Sequence, residues 1–256
     1  SCFLLSGCNG QKQIDSETVK TVKVEEQAHL QDDTVSPTCQ ITIDYSYLAK
    51  SDAADSIVQR INRTIQAHIL GKEYTRMNPE VAVDSFKNTY INNYRKDVNE
   101  FYQEDIKNGT PKDELPTWYN YEYGLTTYFS EGKEGILNFI AETFEYTGGA
   151  HPNSWNKWMN FEKNTGKLLA LKDVFMAGSE KPISDMLLEE LITEMATRLE
   201  DSSITSLEGL QNAGILNSTN MYVPDNFLLE KEKVSFLYNK YDIAPYAVGI
   251  ITLSLP

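Results

Sequence analysis

Apolar and polar residues first alternate along the chain and then recur with helical spacing. Residues 41–47 place Ile and Tyr at the odd positions with polar side chains between them, which predicts a half-buried strand. Isoleucines then recur every fourth residue from Ile57 to Ile69, ahead of Gly71, which predicts a helix with one apolar stripe. The same spacing predicts a second, longer helix from Pro79 to the turn at residues 108–111.

Strand patterns return in the middle of the chain. Strands are predicted over residues 119–129, 136–146 and 155–161, and their connections are too short for parallel crossovers, so we expect them to pair antiparallel. Helices are predicted over residues 187–199 and 207–213, and strands over residues 234–238 and 247–255. The fold class is therefore predicted as α+β: antiparallel sheets with helices packed against them, in two similar-sized halves whose seam lies between Gly148 and Trp155.

The amino-terminal residues are interpreted as a targeting signal and not as part of the fold. Residues 1–7 are the apolar and small residues of a signal-peptide remnant, and Leu5-Ser6-Gly7-Cys8 resembles the bacterial lipoprotein lipobox, which implies lipidation at Cys8. Residues 8–37 are then predicted as the lipidated cysteine and a polar tether, because no apolar period is sustained there. No run approaches the ~18 apolar residues of a membrane span. We expect a cell-envelope protein, lipid-anchored to a membrane and facing the periplasm or exterior.

Charge and cysteine content narrow the function classes. The formal net charge is −14 and no basic cluster is visible, so nucleic acid is not expected as a partner. Of the three cysteines, only Cys39 lies in the folded body, where it opens a strand and is predicted to be a buried small hydrophobe. No structural disulfide is expected in the mature protein.

Three segments together resemble one family. They are the segments at residues 146–152 (Tyr-Thr-Gly-Gly-Ala-His-Pro), 161–175 and 241–249 (Tyr-Asp-Ile-Ala-Pro-Tyr-Ala-Val-Gly). This pattern is similar to the domain of unknown function numbered 3298, and the region before it resembles a companion domain numbered 4163. The resemblance implies an amino-terminal domain over residues 38–149 and a carboxyl-terminal one over residues 150–256.

The relatives of this domain pair imply a role near the cell wall. They include bacterial lipoproteins, the external part of a lysozyme-sensing anti-sigma factor, and regions that precede the catalytic domain of some peptidoglycan deacetylases. The resemblance therefore implies a binding or sensing module. Its partner would be a cell-wall glycan such as peptidoglycan, or an envelope protein such as a lysozyme-like enzyme.

The candidate ligand-binding residues come from the first and third family segments. They are Tyr146, Gly148, Gly149, His151, Tyr241, Asp242 and Tyr246. A purely structural interpretation stands beside this one: the glycines would build a tight crossing, His151 would bind a neighbouring carbonyl, and the tyrosines would pack with satisfied hydroxyls. The aromatic residues at positions 118–123, 155 and 158 offer a second hint of sugar stacking, although strand tyrosines are also ordinary β residues.

Enzymatic signals are few. The three histidines show no metal-ligand spacing, and the sequence predicts no metal site, no catalytic residue and no cofactor. An alternative is a hydrolase of wall material in which His151 works with a carboxylate, Asp242 or Glu145, placed within hydrogen-bond reach. A purely structural envelope protein is the third hypothesis.

Overall fold

Two β-sheets, of five and three strands, form the framework of the protein. The computed structural model describes residues 18–49 and 55–256. In these ranges the sheets have the strand orders β1-β2-β3-β4-β5 and β6-β7-β8. The strands are β1 Val19–His29, β2 Thr38–Leu48, β3 Tyr121–Glu131, β4 Ile136–Tyr146, β5 Asn153–Glu162, β6 Phe227–Leu229, β7 Val234–Tyr238 and β8 Ile251–Leu255. The helices are α1 Asp55–Ile69, α2 Pro79–Lys107, α3 Leu171–Val174, α4 Glu180–Arg198 and α5 Leu207–Asn212.

The predicted α+β class is confirmed, with one departure in strand direction. Neighbouring strands pair antiparallel except β2 and β3, which run parallel from Cys39↔Tyr121 to Asp44↔Thr126. The chain between these two strands carries α1 and α2 and is therefore long enough for a parallel crossover. The prediction of antiparallel pairing rests on the short connections that follow residue 119 and does not extend to the pairing of β2 with β3.

Helices α1 and α2 cover one face of the larger sheet. Ile61 and Ile65 of the predicted isoleucine stripe are buried against sheet residues such as Ile43 and Phe139. Cys39 lies in the same core as a fully buried free cysteine, as predicted, and burial raises the pKa of its thiol to about 12. The aromatic pattern around residues 119–123 belongs to this core too, because the Tyr123 ring packs 4.9 Å from the ring of Tyr90.

Strand β1 overturns part of the predicted tether. Residues 19–29 pair with β2 from Val19↔Leu48 to His29↔Thr38 and are not an unstructured linker. An edge strand with one covered face needs few apolar residues, and this one contributes Val22, Val24 and Ala28 to the core. The polar residues of this strand also take part in its packing: Glu26 forms an ion pair with Lys87 of α2 at 2.8 Å. The signal remnant at residues 1–7 and Cys8 lie outside the described residues.

The second core lies between α4 and the three-stranded sheet. Leu187, Leu191 and Met195 of α4 are buried against Phe236 and Leu253 of the sheet. In the described ranges, no helix combines the length and the apolar character that a bilayer crossing requires.

The predicted seam between Gly148 and Trp155 is wrong as the boundary between the two cores. Strand β5 pairs with β4 along its length and completes the first sheet, because the six residues 147–152 form only a short connection between antiparallel neighbours. The change of core comes later, since Leu168 packs on the first core and Leu169 on the second. Whether the halves fold as separate domains stays a prediction.

Candidate functional site

Asparagine side chains join the outer edge of β5 to the carboxyl-terminal half. Nδ2 of Asn160 donates to Phe227 O at 2.8 Å, and its Oδ1 accepts from Leu229 N at 2.8 Å. Asn226 accepts from Trp158 N at 2.7 Å and donates to Asn156 O at 2.8 Å. Asn239 binds both backbone groups of Asn156 in the same way, at 2.7 and 3.0 Å. These three side chains, Asn160, Asn226 and Asn239, form what we call the asparagine seam.

The asparagine seam supplies hydrogen-bond partners to the backbone of β5, through Asn226 and Asn239, and to the backbone of β6, through Asn160, without extending either sheet. Buried backbone N–H and C=O groups need partners, and the amides supply a donor and an acceptor from one side chain. Because Asn160 is only 1% exposed, its hydrogen bonds form in a region closed to solvent. This part of the contact between the halves is therefore structural.

Next to the asparagine seam, with Asn226 and Asn239 in its lining, the two halves separate into a cleft of about 360 Å³, which we call the interhalf cleft. One wall is made by the end of α1 and by strands β3 to β5, and the other by residues 222–226 and 237–242. Every second position of β5, from Trp155 and Lys157 to Met159 and Phe161, places its side chain on the same face of the sheet. Trp155 and Tyr222 supply aromatic surface to the cleft.

Charged groups in the interhalf cleft are incompletely paired. Lys157 and Asp225 line it, and neither side chain makes a hydrogen bond or ion pair with any other residue of the ranges 18–49 and 55–256. Asp242 accepts a hydrogen bond from Asn239 N at 2.7 Å. Burial, followed by the charge of Asp242, raises the pKa of Tyr222, so its hydroxyl remains a neutral donor. The cleft thus presents a cation, carboxylates and a phenol to solvent.

Three of the predicted ligand-binding residues meet beside the interhalf cleft. The rings of His151 and Tyr246 stack with centroids 3.8 Å apart, and Tyr241 Oη lies 3.3 Å from His151 Nε2. Nδ1 of His151 lies 3.1 Å from Pro152 O, and a carbonyl can only accept, so Nδ1 carries the proton and Nε2 accepts from Tyr241 in the neutral ring. His151, Tyr241 and Tyr246 are called the histidine–tyrosine cluster below.

Tyr241 combines an exposed ring with an unusual backbone. Its φ is +70°, in the left-handed region that a bulky side chain rarely adopts, and 60% of the residue is exposed. Such strain costs of order 1 kcal/mol and often marks functional positions. Lys240 lies beside it, with Nζ 4.4 Å from the centre of the Tyr246 ring.

The remaining predicted residues lie apart from the histidine–tyrosine cluster. Gly148 has φ +81°, and a Cβ there would come within 2.5 Å of Trp118 O, so this position requires glycine for structural reasons. Gly149 has neither constraint. Tyr146 ends β4 and makes no hydrogen bond or ring contact with the cluster, whereas Asp242 lines the neighbouring cleft. That these residues bind a ligand stays a prediction.

The acid–base pair of the hydrolase hypothesis does not form in this structure. Among the described residues no carboxylate is hydrogen-bonded to His151: Asp242 accepts from Asn239 N, and Glu145 accepts from Tyr90 Oη at 2.8 Å. In residues 18–49 and 55–256, no three His, Cys, Asp or Glu side chains are grouped so that they could hold a metal ion.

Sequence reasoning missed part of the site. Lys157 lies in the predicted strand at residues 155–161 but in no family segment, and Tyr222 and Asp225 lie in neither a predicted element nor a family segment. One signal was present: residues 213–226 join α5 to β6 without a helix or strand, and long irregular connections in compact proteins often carry function.

Two protein families match the two halves. The DUF3298 family, described as protein of unknown function, matches residues 172–256, and the family described as Deacetylase PdaC matches residues 34–154. This chain contains a DUF3298 domain. The DUF3298 domain supplies Tyr222, Asp225 and the residues at 239–246, whereas His151 lies in the PdaC-matched region and Trp155 just beyond it. The interhalf cleft therefore lies where the two matched regions meet.

Solved structures of DUF3298 proteins share this architecture. A DUF3298 family member from Bacteroides fragilis is 29% identical, with a TM-score of 0.84 over 96% of this chain and 92% of that one. A DUF3298 family protein from Pseudomonas aeruginosa, 16% identical with a TM-score of 0.61 over 95% and 92% of the two chains, shows similarity of fold alone. No curated protein matches this sequence. The DUF3298 resemblance is thus confirmed, while the 4163-like companion stays a prediction.

Proposed function

We propose that this protein is a binding module of the cell envelope that holds a cell-wall glycan in the interhalf cleft. The observation that carries the proposal is the lining of that cleft, where the rings of Trp155 and Tyr222 lie among amide and carboxylate side chains. Sugars present apolar ring faces and many hydroxyls. Aromatic faces can cover the former, and the unpaired Lys157 and Asp225 side chains can hydrogen-bond the latter.

The comparisons support a cell-wall-related role in general terms. The family described as Deacetylase PdaC matches the half that supplies β3 and β4 to the cleft, and the DUF3298 domain supplies the opposite wall. The PdaC match supports an envelope ligand, and deacetylase activity is not part of the proposal. The unpaired Lys157 and Asp225 give the cleft polar groups that a bound ligand can engage.

Sedimentation with purified peptidoglycan, followed by calorimetry with soluble wall oligosaccharides, tests the proposal. We expect the protein to co-sediment and Trp155→Ala to weaken the oligosaccharide Kd about tenfold, equivalent to ~1.4 kcal/mol. Trp158→Ala is the matched control, because Trp158 lies on the opposite face of the same strand and should leave the Kd unchanged.

Two results would count against the glycan. Failure of the wild-type protein to bind either peptidoglycan or oligosaccharides would refute it. Retention of an envelope protein such as a lysozyme-like enzyme from an extract, without any glycan binding, would replace the glycan with a protein partner.

We also propose that the module is tethered to a membrane through Cys8, with its folded part facing the periplasm or exterior. The Leu5-Ser6-Gly7-Cys8 motif supports this placement. The full-length protein should incorporate radioactive palmitate, and Cys8→Ala should move it to the soluble fraction. Membrane association that is unchanged in Cys8→Ala would contradict the anchor, with Cys39→Ala as the control for a thiol in the folded core.

A further inference from the structure

A second cavity lies next to the interhalf cleft. It has a volume of about 700 Å³ and is bounded by α4, α5 and residues 219–223. Its lining combines apolar side chains, such as Leu171, Leu188 and Met221, with polar ones, such as Ser184 and Asn220. We call it the helical groove.

Tyr222 lines both the interhalf cleft and the helical groove. The fully buried Tyr238 holds Tyr222 in position. Its hydroxyl donates a hydrogen bond to Tyr222 O at 2.6 Å, and the two rings pack edge-on with their centroids 5.4 Å apart. Residues 219–223 then run along the groove, and residues 224–226 run along the cleft. The two cavities therefore share one wall and one exposed aromatic ring.

The two cavities differ in chemistry. The interhalf cleft offers amides, carboxylates, Lys157 and aromatic rings, which suits a saccharide. The helical groove offers aliphatic surface, including Leu207, which is 41% exposed, together with Gln211, Ser184 and the Lys181–Asp185 ion pair. Aliphatic surface edged by hydrogen-bonding groups suits a peptide, whose backbone amides need polar partners, better than a plain acyl chain, which needs none.

We infer that the interhalf cleft and the helical groove form one extended site for a peptide-substituted glycan. The sugar binds in the interhalf cleft, the peptide crosses Tyr222, and its side chains occupy the helical groove. This inference rests on the glycan-binding function proposed above and adds to it the substituent that the ligand carries. Tyr222 contacts both parts of the ligand.

Calorimetry on the full-length protein with two matched ligands tests the inference. The ligands are the disaccharide N-acetylglucosaminyl-N-acetylmuramic acid and the same disaccharide carrying its peptide stem. We expect the peptide-bearing ligand to bind wild type at least tenfold more tightly. Leu207→Gln should remove that gain while leaving the disaccharide Kd unchanged, because Leu207 lines only the groove.

Tyr222→Ala provides the second arm and should weaken both ligands. Leu207 and Tyr222 are both partly exposed, so the variants should fold, and their circular dichroism melting curves must overlay that of wild type. Equal wild-type affinity for the two ligands, or a peptide gain that survives Leu207→Gln, would overturn the extended site and leave the glycan proposal standing. If the wild-type protein binds neither ligand, the glycan proposal is refuted, and the extended site with it.

Discussion

The contact between the two halves has a closed end and an open end. At the closed end, the buried Asn160 side chain donates a hydrogen bond to Phe227 O and accepts one from Leu229 N, both in the backbone of β6. At the open end, the side chains of Lys157 and Asp225 face the interhalf cleft and have no partner among the described residues. Both ends are rich in polar side chains, and composition alone does not tell them apart.

The difference between the ends lies in hydrogen-bond satisfaction. Polar groups that are fully paired inside the protein stabilise the fold and have nothing left to offer a ligand. Polar groups that face a cavity unpaired contribute little to folding and remain available for binding. Substitutions at the closed end should therefore change stability, and substitutions at the open end should change binding.

The largest effect is expected at the closed end. Asn160→Ala leaves Phe227 O and Leu229 N buried without partners, which should lower the free energy of unfolding by about 2–4 kcal/mol. Urea denaturation followed by circular dichroism measures this change. Asn153→Ala is the control, because Asn153 is exposed on the same strand and should shift stability by less than about 0.5 kcal/mol. Similar losses in the two variants would remove the distinction between the ends.

A smaller loss is expected at the turn that leads to the open end. Gly148→Ala places a methyl group near Trp118 O at a positive φ and should cost about 2 kcal/mol. Gly149→Ala is the neighbouring control, since φ there is not positive and no atom lies closer than 3.9 Å to its added Cβ. The melting temperatures of the two variants check the prediction, which fails if Gly148→Ala melts no lower than Gly149→Ala.

Tyr241 tests whether the open end stores strain. Tyr241→Ala and Tyr241→Gly both remove the ring, but only glycine adopts φ +70° without strain, so the glycine variant should be more stable than the alanine variant by about 1 kcal/mol. Both should weaken glycan binding equally if the ring contacts the ligand. Equal stability of the two variants would show that no backbone strain is stored at this residue.

The smallest effect on stability is expected from the unpaired charges. Lys157→Gln and Asp225→Asn should each change the free energy of unfolding by less than about 0.5 kcal/mol, because neither side chain has a partner to lose among the described residues. Their effect should instead appear in the glycan Kd measured by calorimetry. A large stability loss without any change in Kd would assign these charges to the fold.

Periodicity predicted most of the regular elements, because their apolar faces are continuous. The isoleucine stripe of α1 and the apolar positions of the alternation in β2 both lie on faces that are buried in the structure. Strand β1 was missed because an edge strand buries little and is mostly polar. Strand β6 and helix α3 were missed because three and four residues are too short to show a period.

The candidate site was only partly accessible to sequence reasoning. His151, Tyr241 and Tyr246 could be chosen from the family segments, and the structure brings these three together. Lys157 and Asp225 could not, because their role depends on two chain segments meeting across the interhalf cleft. Sequence spacing carries no information on which polar groups remain unpaired after folding.

The lone parallel pair between β2 and β3 has a consequence for the order of folding. The β1–β2 hairpin and the β3–β4–β5 meander each join neighbours in the chain, so their loops close at small entropic cost. The parallel pair must instead bring together strands separated by two whole helices. Because such long-range pairing is intrinsically slow, we expect docking of the hairpin onto the meander to be the late, rate-limiting event.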